Sequence, residues 1–190
     1  MSRDTRTWAG LITGLQWVAV CTLGAGVGFS LGHASADAVP IALRRIASDT
    51  VLFAVLGTAV ASGQWLVLRG RIAGAAQWVV VSAVVWVVLG ALARPLEESI
   101  GVAACPFVAG AVLGIAQAVI LRHQVRWAGL WVVASTLSWG AGWHVVGALS
   151  RVVPLVVTEG VIAYTIGYAI YGTMLGVFSA PAIVWLLEQE

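Results

Sequence analysis

Residues 57–69 read GTAVASGQWLVLR and residues 110–122 read GAVLGIAQAVILR. Set side by side without a gap, they place Gly57, Ala61, Gln64 and Arg69 over Gly110, Gly114, Gln117 and Arg122, each pair 53 positions apart. The same shift carries Trp78, Ser82 and Trp86 onto Trp131, Ser135 and Trp139. One constant offset across seven positions is the mark of an internal repeat, and repeats govern architecture before any local motif does. The ends of the chain extend the pattern. Gly172, Gly176 and Ser179 continue the first segment, Gln16-Trp17 matches Gln77-Trp78, and Cys21 takes the place of Ser82.

The repeated unit is a pair of apolar helices. Of 190 residues, 61% are hydrophobic and 9% charged, against about a quarter charged in an ordinary soluble domain. A chain so short of polar surface expects lipid as its solvent. Six uncharged stretches, 8–32, 51–68, 72–93, 99–121, 127–150 and 160–187, each approach the roughly 18–20 residues that cross a hydrocarbon core about 30 Å thick. The breaks between them are too short for a domain, so residues 1–190 read as a single membrane domain. Arg3, Arg6 and Ala34-Ser35-Ala36 imitate a secretory signal. The apolar run between them exceeds a signal core of roughly 7–15 residues, so it reads as a retained first helix.

The expected fold is therefore all-α: six transmembrane helices as three parallel two-helix repeats, forming a pseudo-threefold bundle about an axis along the membrane normal. Closing such a ring sets the first helix beside the sixth, with Gly24 or Gly28 expected at their crossing. Lipid tails solvate leucine as well as a neighbouring helix does, so association depends on close backbone approach and interhelical hydrogen bonds. The series Gly24, Gly28, Gly32 and the pairs Gly57/Ala61, Gly110/Gly114 and Gly172/Gly176 supply small residues for that approach.

Orientation follows from arginine. All ten cationic residues are arginines. Arg3, Arg6, Arg69, Arg71, Arg122 and Arg126 fall on the side of the termini, and Arg44, Arg45, Arg94 and Arg151 on the other. Acidic residues favour the second side, with Asp37, Asp49, Glu97, Glu98 and Glu159. The positive-inside bias places both termini in the cytoplasm of a multi-pass cell-membrane protein.

The segments GQWLVLRGRIAGAAQWVVVSAVVW and GIAQAVILRHQVRWAGLWVVASTLSW resemble a repeat of uncharacterised multi-pass bacterial membrane proteins. In that family a glutamine precedes a Leu-Arg helix end, followed by a Trp-Val-x-Ala-Ser helix. The resemblance covers about 80 residues well and the outer helices weakly. Gly70 and His123 stand where a second arginine is usual, and Val85 where a glycine usually precedes the tryptophan. The resemblance implies architecture and carries no activity.

Polar residues within the spans are the candidate site. Gln64 lies five residues before Arg69 and Gln77 six after Arg71, at similar depth. Gln16, Gln117 and Ser179 occupy equivalent repeat positions, and Leu130 the sixth. Five hydrogen-bonding side chains at one level read either as glue between helices or as a polar constriction that binds a ligand. Gln64 and Gln77 are expected to bond to neighbouring helices, with the centre mostly closed at their level. Trp8, Trp65, Trp127 and Trp185 sit near span ends, as interfacial indoles do. Tyr164, Tyr168 and Tyr171 form a stripe expected to face protein, because buried hydroxyls need partners. His144 is the one ionisable group well inside a span, hence a candidate by default, with Glu159 or Glu98 as partner.

Much chemistry is excluded. No lysine is present for a Schiff base. No His-Glu-x-x-His, Gly-x-Ser-x-Gly or phosphate-binding glycine loop occurs, and no carboxylate sits mid-membrane as in ion-coupled pumps. His33, His123 and His144 are too dispersed to ligate haem together, and Cys21 and Cys105 read as unpaired. No catalytic residue, metal or cofactor is expected. A net charge of +2 gives no reason to expect nucleic acid. The partners are the lipid bilayer and either another membrane protein or a small apolar ligand. Three classes stand: a non-catalytic scaffold or accessory bundle, favoured; a passive transporter or small-ligand or lipid binder, the alternative; and, last, an outer-leaflet enzyme using Glu97, Glu98, His144 and Glu159.

Overall fold

The protein is described by a computed structural model covering residues 3–152 and 160–189. Six α-helices account for most of these residues, and no strand occurs among them: α1 (Arg3–Asp37), α2 (Ile41–Leu68), α3 (Ala75–Ile100), α4 (Cys105–Leu121), α5 (Gly129–Val152) and α6 (Val161–Leu187). Helix is what an apolar chain without water adopts, because each backbone N–H and C=O is satisfied within its own segment. The breaks are local. Gly101, at φ +81°, ends α3 where a Cβ-bearing residue would be strained, and its N–H bonds to the Glu97 carbonyl. Pro106 sits in the first turn of α4, where its missing N–H costs nothing.

Four segments are long and apolar enough to cross a membrane: Thr7–Asp37, Ala47–Leu68, Ala75–Ile100 and Val161–Leu187. The expected six spans are thus met in part. Helix α4 is 17 residues, about 26 Å at 1.5 Å per residue. Helix α5 has the length, at 24 residues, but glycines, serines, tryptophans and His144 dilute its apolar character.

Each helix packs against its neighbours in sequence, and α1 also packs against α6. The six form a closed ring whose neighbours run antiparallel. Chain termini and the α2–α3 and α4–α5 turns share one end, here the termini end; the other is the far end. Glycines set the approach. A Cβ on Gly110 would lie 2.7 Å from the Ser135 carbonyl oxygen, and one on Gly114 3.0 Å from Val132 Cα. Gly24 and Gly28 do not close the ring as expected: they face α2, where a Cβ would come within 2.8 Å of Val60 Cα and of Ala59 Cβ. The α1–α6 seam rests instead on Gly172, against the Cys21 carbonyl, and Gly176, whose Cβ would meet Val18 Cα at 2.6 Å.

The ring wears its aliphatic residues outside. Leu23, Val27 and Leu31 on α1, Val80 and Val84 on α3, Ile115 and Val119 on α4, and Val133 and Leu137 on α5 are all exposed. Their four-residue spacing marks one helix face. Trp17, Trp78, Trp131, Gln117, Ser82 and Ser179 are buried instead, which suits a protein whose surroundings are hydrocarbon. Trp8, Trp127 and Trp185 lie exposed and Trp65 half-buried at the termini end, where headgroups would accept them.

Side chains also tie the turns together. Gln124 accepts from the Ala73 N–H (2.5 Å) and donates to the Ala73 carbonyl (2.8 Å), joining the two turns of the termini end. Arg71 donates to Thr13 Oγ1 on α1 at 3.1 Å. Arg71 and Gln124 are 53 positions apart. At the far end, Arg94 on α3 pairs with Asp49 on α2 at 2.8 Å.

Candidate functional site

Three indoles meet inside the ring. Trp17, Trp78 and Trp131 come from α1, α3 and α5, and none is more than 2% exposed. Their centroids are 6.4, 5.7 and 5.5 Å apart, with two edge-on pairs and one tilted, geometries the aromatic quadrupole favours. Each indole N–H is donated to a polar side chain of an even-numbered helix. Trp78 bonds Gln64 Oε1 at 2.9 Å, Trp131 bonds Gln117 Oε1 at 2.8 Å, and Trp17 bonds Ser179 Oγ at 2.9 Å. The amides reach onward, Gln117 Nε2 to Ser82 Oγ at 2.9 Å and Gln64 Nε2 to Cys21 Sγ at 3.6 Å. A buried indole leaves a costly unpaired donor unless a partner is provided; here every one has a partner.

This hub settles where the polar level goes. Gln64, Gln117 and Ser179 point inward. Gln16 and Gln77 are exposed, and Leu130 is 44% exposed. The expectation that Gln77 bonds to a neighbouring helix is corrected, and the polar level is three side chains, not five. Residues 16, 77 and 130 each precede a hub tryptophan. Adjacent helical positions differ by about 100°, so seating the indole inward turns its predecessor out.

Beside the hub a small pocket of about 20 Å³ is lined by Gln64, Gln117, Ser135, Ser138 and Ser179 together with Leu113, Trp131, Trp139 and Leu175, room for roughly one water. Ser135 Oγ donates to the Gly110 carbonyl at 2.8 Å, which anchors α5 to α4 there.

Two turns toward the far end, the ring opens into a chamber of about 230 Å³. Phe53, Trp86, Trp139, Trp143, Tyr168 and Tyr171 line it, with Leu96, Glu97, Val102 and Cys105 around its far end. Trp86 and Trp139 lie 4.7 Å apart, Phe53 stacks on Trp86 at 5.8 Å, and Tyr171 stands edge-on to Trp139 at 5.5 Å. The Tyr171 hydroxyl donates to the Trp139 carbonyl at 3.0 Å, which fixes the wall between α6 and α5. Among the described residues, the only one in the lining that carries a formal charge is Glu97.

The remaining candidates disperse. His144 is exposed, its Nε2 3.3 Å from the Ala103 carbonyl oxygen, and it does not line the chamber. Glu159 lies outside the described residues. Tyr164 is 61% exposed, so only Tyr168 and Tyr171 of the expected stripe face the interior. Both Cys21 and Cys105 are free thiols. No cluster of three or more metal-ligating side chains occurs among the described residues. Sequence reasoning placed Trp17, Trp78 and Trp131 within the spans but did not pair them with the polar residues of the even-numbered helices. Their signal was present: Gln64 to Trp78 and Gln117 to Trp131 are both 14 positions. No family model, curated protein or solved structure matches this chain.

Proposed function

We propose that this protein is a non-catalytic, six-span membrane bundle built from three two-helix repeats, which binds a small apolar ligand in a chamber toward the far end of the ring. The observation that carries the reading is the chamber of about 230 Å³ with six aromatic side chains in its wall. Pockets that take small molecules are concave, mostly apolar and few in number, and this one fits that description. A pure scaffold has no need of such a space, so the chamber moves the preference from scaffold to binder. The hub speaks against conduction: three buried indoles meet on the axis at the level where a polar constriction was expected. The repeat is supported by the hub's bonding, in which indoles of α1, α3 and α5 are each held by an even-numbered helix. Both termini are cytoplasmic on the arginine bias, so reporter fusions after Arg71 and Arg126 should read cytoplasmic; a periplasmic reading at either inverts the assignment.

The chamber is tested with a small aromatic quencher. In lipid nanodiscs, bromobenzene should quench tryptophan fluorescence with a saturable component above simple partitioning. Ala109→Phe, which fills the chamber from α4, should abolish that component. Linear quenching alone, or equal saturation in the filled variant, overturns the reading.

A further inference from the structure

The chemistry of the ligand follows from what the membrane itself cannot offer. A neutral hydrocarbon is solvated by lipid tails as well as by an apolar cavity, so apolar walls alone give it little reason to leave the bilayer. What lipid tails lack is aromatic faces and a fixed negative charge, and this chamber has both.

Aromatic faces are electron-rich and attract cations, more strongly where water is excluded. Phe53, Trp86, Trp139 and Trp143 make the deep wall. Glu97 stands eleven residues beyond Trp86 on α3, roughly 16 Å along the helix at 1.5 Å per residue. The Glu97 carboxylate makes no hydrogen bond and no ion pair among the described residues, while the nearby Arg94 is engaged by Asp49 at 2.8 Å. Among the described residues no arginine lines the chamber. An aromatic floor with one carboxylate at the mouth matches a molecule apolar at one end and positive at the other. We infer that the chamber takes an elongated hydrophobic cation, its tail among the aromatic side chains and its ammonium head beside Glu97. This inference rests on the chamber being a binding site.

Cys105 provides the readout. It lines the far end of the chamber, and the only other thiol, Cys21, is buried. In nanodiscs of uncharged net headgroup, the rate of Cys105 labelling by N-ethylmaleimide reports occupancy. Three probes of matched tail are compared: decyltrimethylammonium, decyl sulfate and decanol, each corrected for its partition into empty discs. Decyltrimethylammonium should protect Cys105 at about tenfold lower concentration than decanol, and decyl sulfate should protect least. Glu97→Gln should bring the cation's advantage over decanol close to parity and leave decanol unchanged. Equal protection by all three overturns the cation inference and leaves the binding site standing. Protection by none overturns both. A cation advantage that persists in Glu97→Gln also overturns the inference, since the charge recognised would then lie elsewhere.

Discussion

Trp78 and Trp86 stand two turns apart on one face of α3, and the two levels they mark are built differently. At the level of Trp78, all three odd-numbered helices supply an indole, and Trp17, Trp78 and Trp131 fill the centre. Eight residues further along each helix the set is Ala25, Trp86 and Trp139. The third indole is replaced by a methyl group, and Ala25 packs against Gly172 where α1 and α6 come closest. Trp86 and Trp139 line the chamber, whose wall draws on α2 to α6 and on no residue of α1. The lesson is that one level of the ring is closed by three indoles in mutual contact, while at the next a pair of indoles stands in the wall of an open chamber.

The largest expected effect is at the hub. Trp131→Ala should destabilise the protein by about 3–5 kcal/mol, the range for removing a fully buried tryptophan. Trp143→Ala, at a residue 40% exposed on the chamber wall, should cost about 1 kcal/mol or less. Unfolding titrations in mixed micelles measure both. Equal losses would erase the contrast between a packed level and an open one.

A smaller effect separates the glutamines. Gln117→Ala removes the acceptor of the Trp131 N–H and the donor to Ser82 Oγ, both groups buried. Its cost should be about 2–3 kcal/mol, an interhelical bond plus a stranded donor. Gln64→Ala loses one such bond and a weaker contact with sulfur, about 1–2 kcal/mol. The smallest change is at Gln77→Ala, an exposed position, where about 0.5 kcal/mol or less is expected. The same micelle titrations rank the three. A loss at Gln77 as large as at Gln117 would restore the ring of five polar side chains and dissolve the hub as described.

Sequence alone determined the helical, strongly apolar character of this chain, its 53-position offset and the small residues at which helices approach. Each follows from local physics: uncharged runs without water must be helical, and the offset of 53 positions from Gly57 to Gly110 holds through Trp86 and Trp139. Which side of each helix faces inward was decided by tertiary structure. In a soluble protein the apolar stripe gives that answer, because water and core differ in polarity. On the proposed membrane reading the surroundings and the core are both apolar, so Gln16 and Trp17, or Gln77 and Trp78, compete for the interior on equal terms in any pattern of hydrophobicity. The contest is won by packing: three indoles fill the centre and find bonding partners in Gln64, Gln117 and Ser179, and the residue before each is rotated out. The chamber too needed tertiary structure, because its wall is assembled from residues of α2, α3, α4, α5 and α6 that are far apart in sequence.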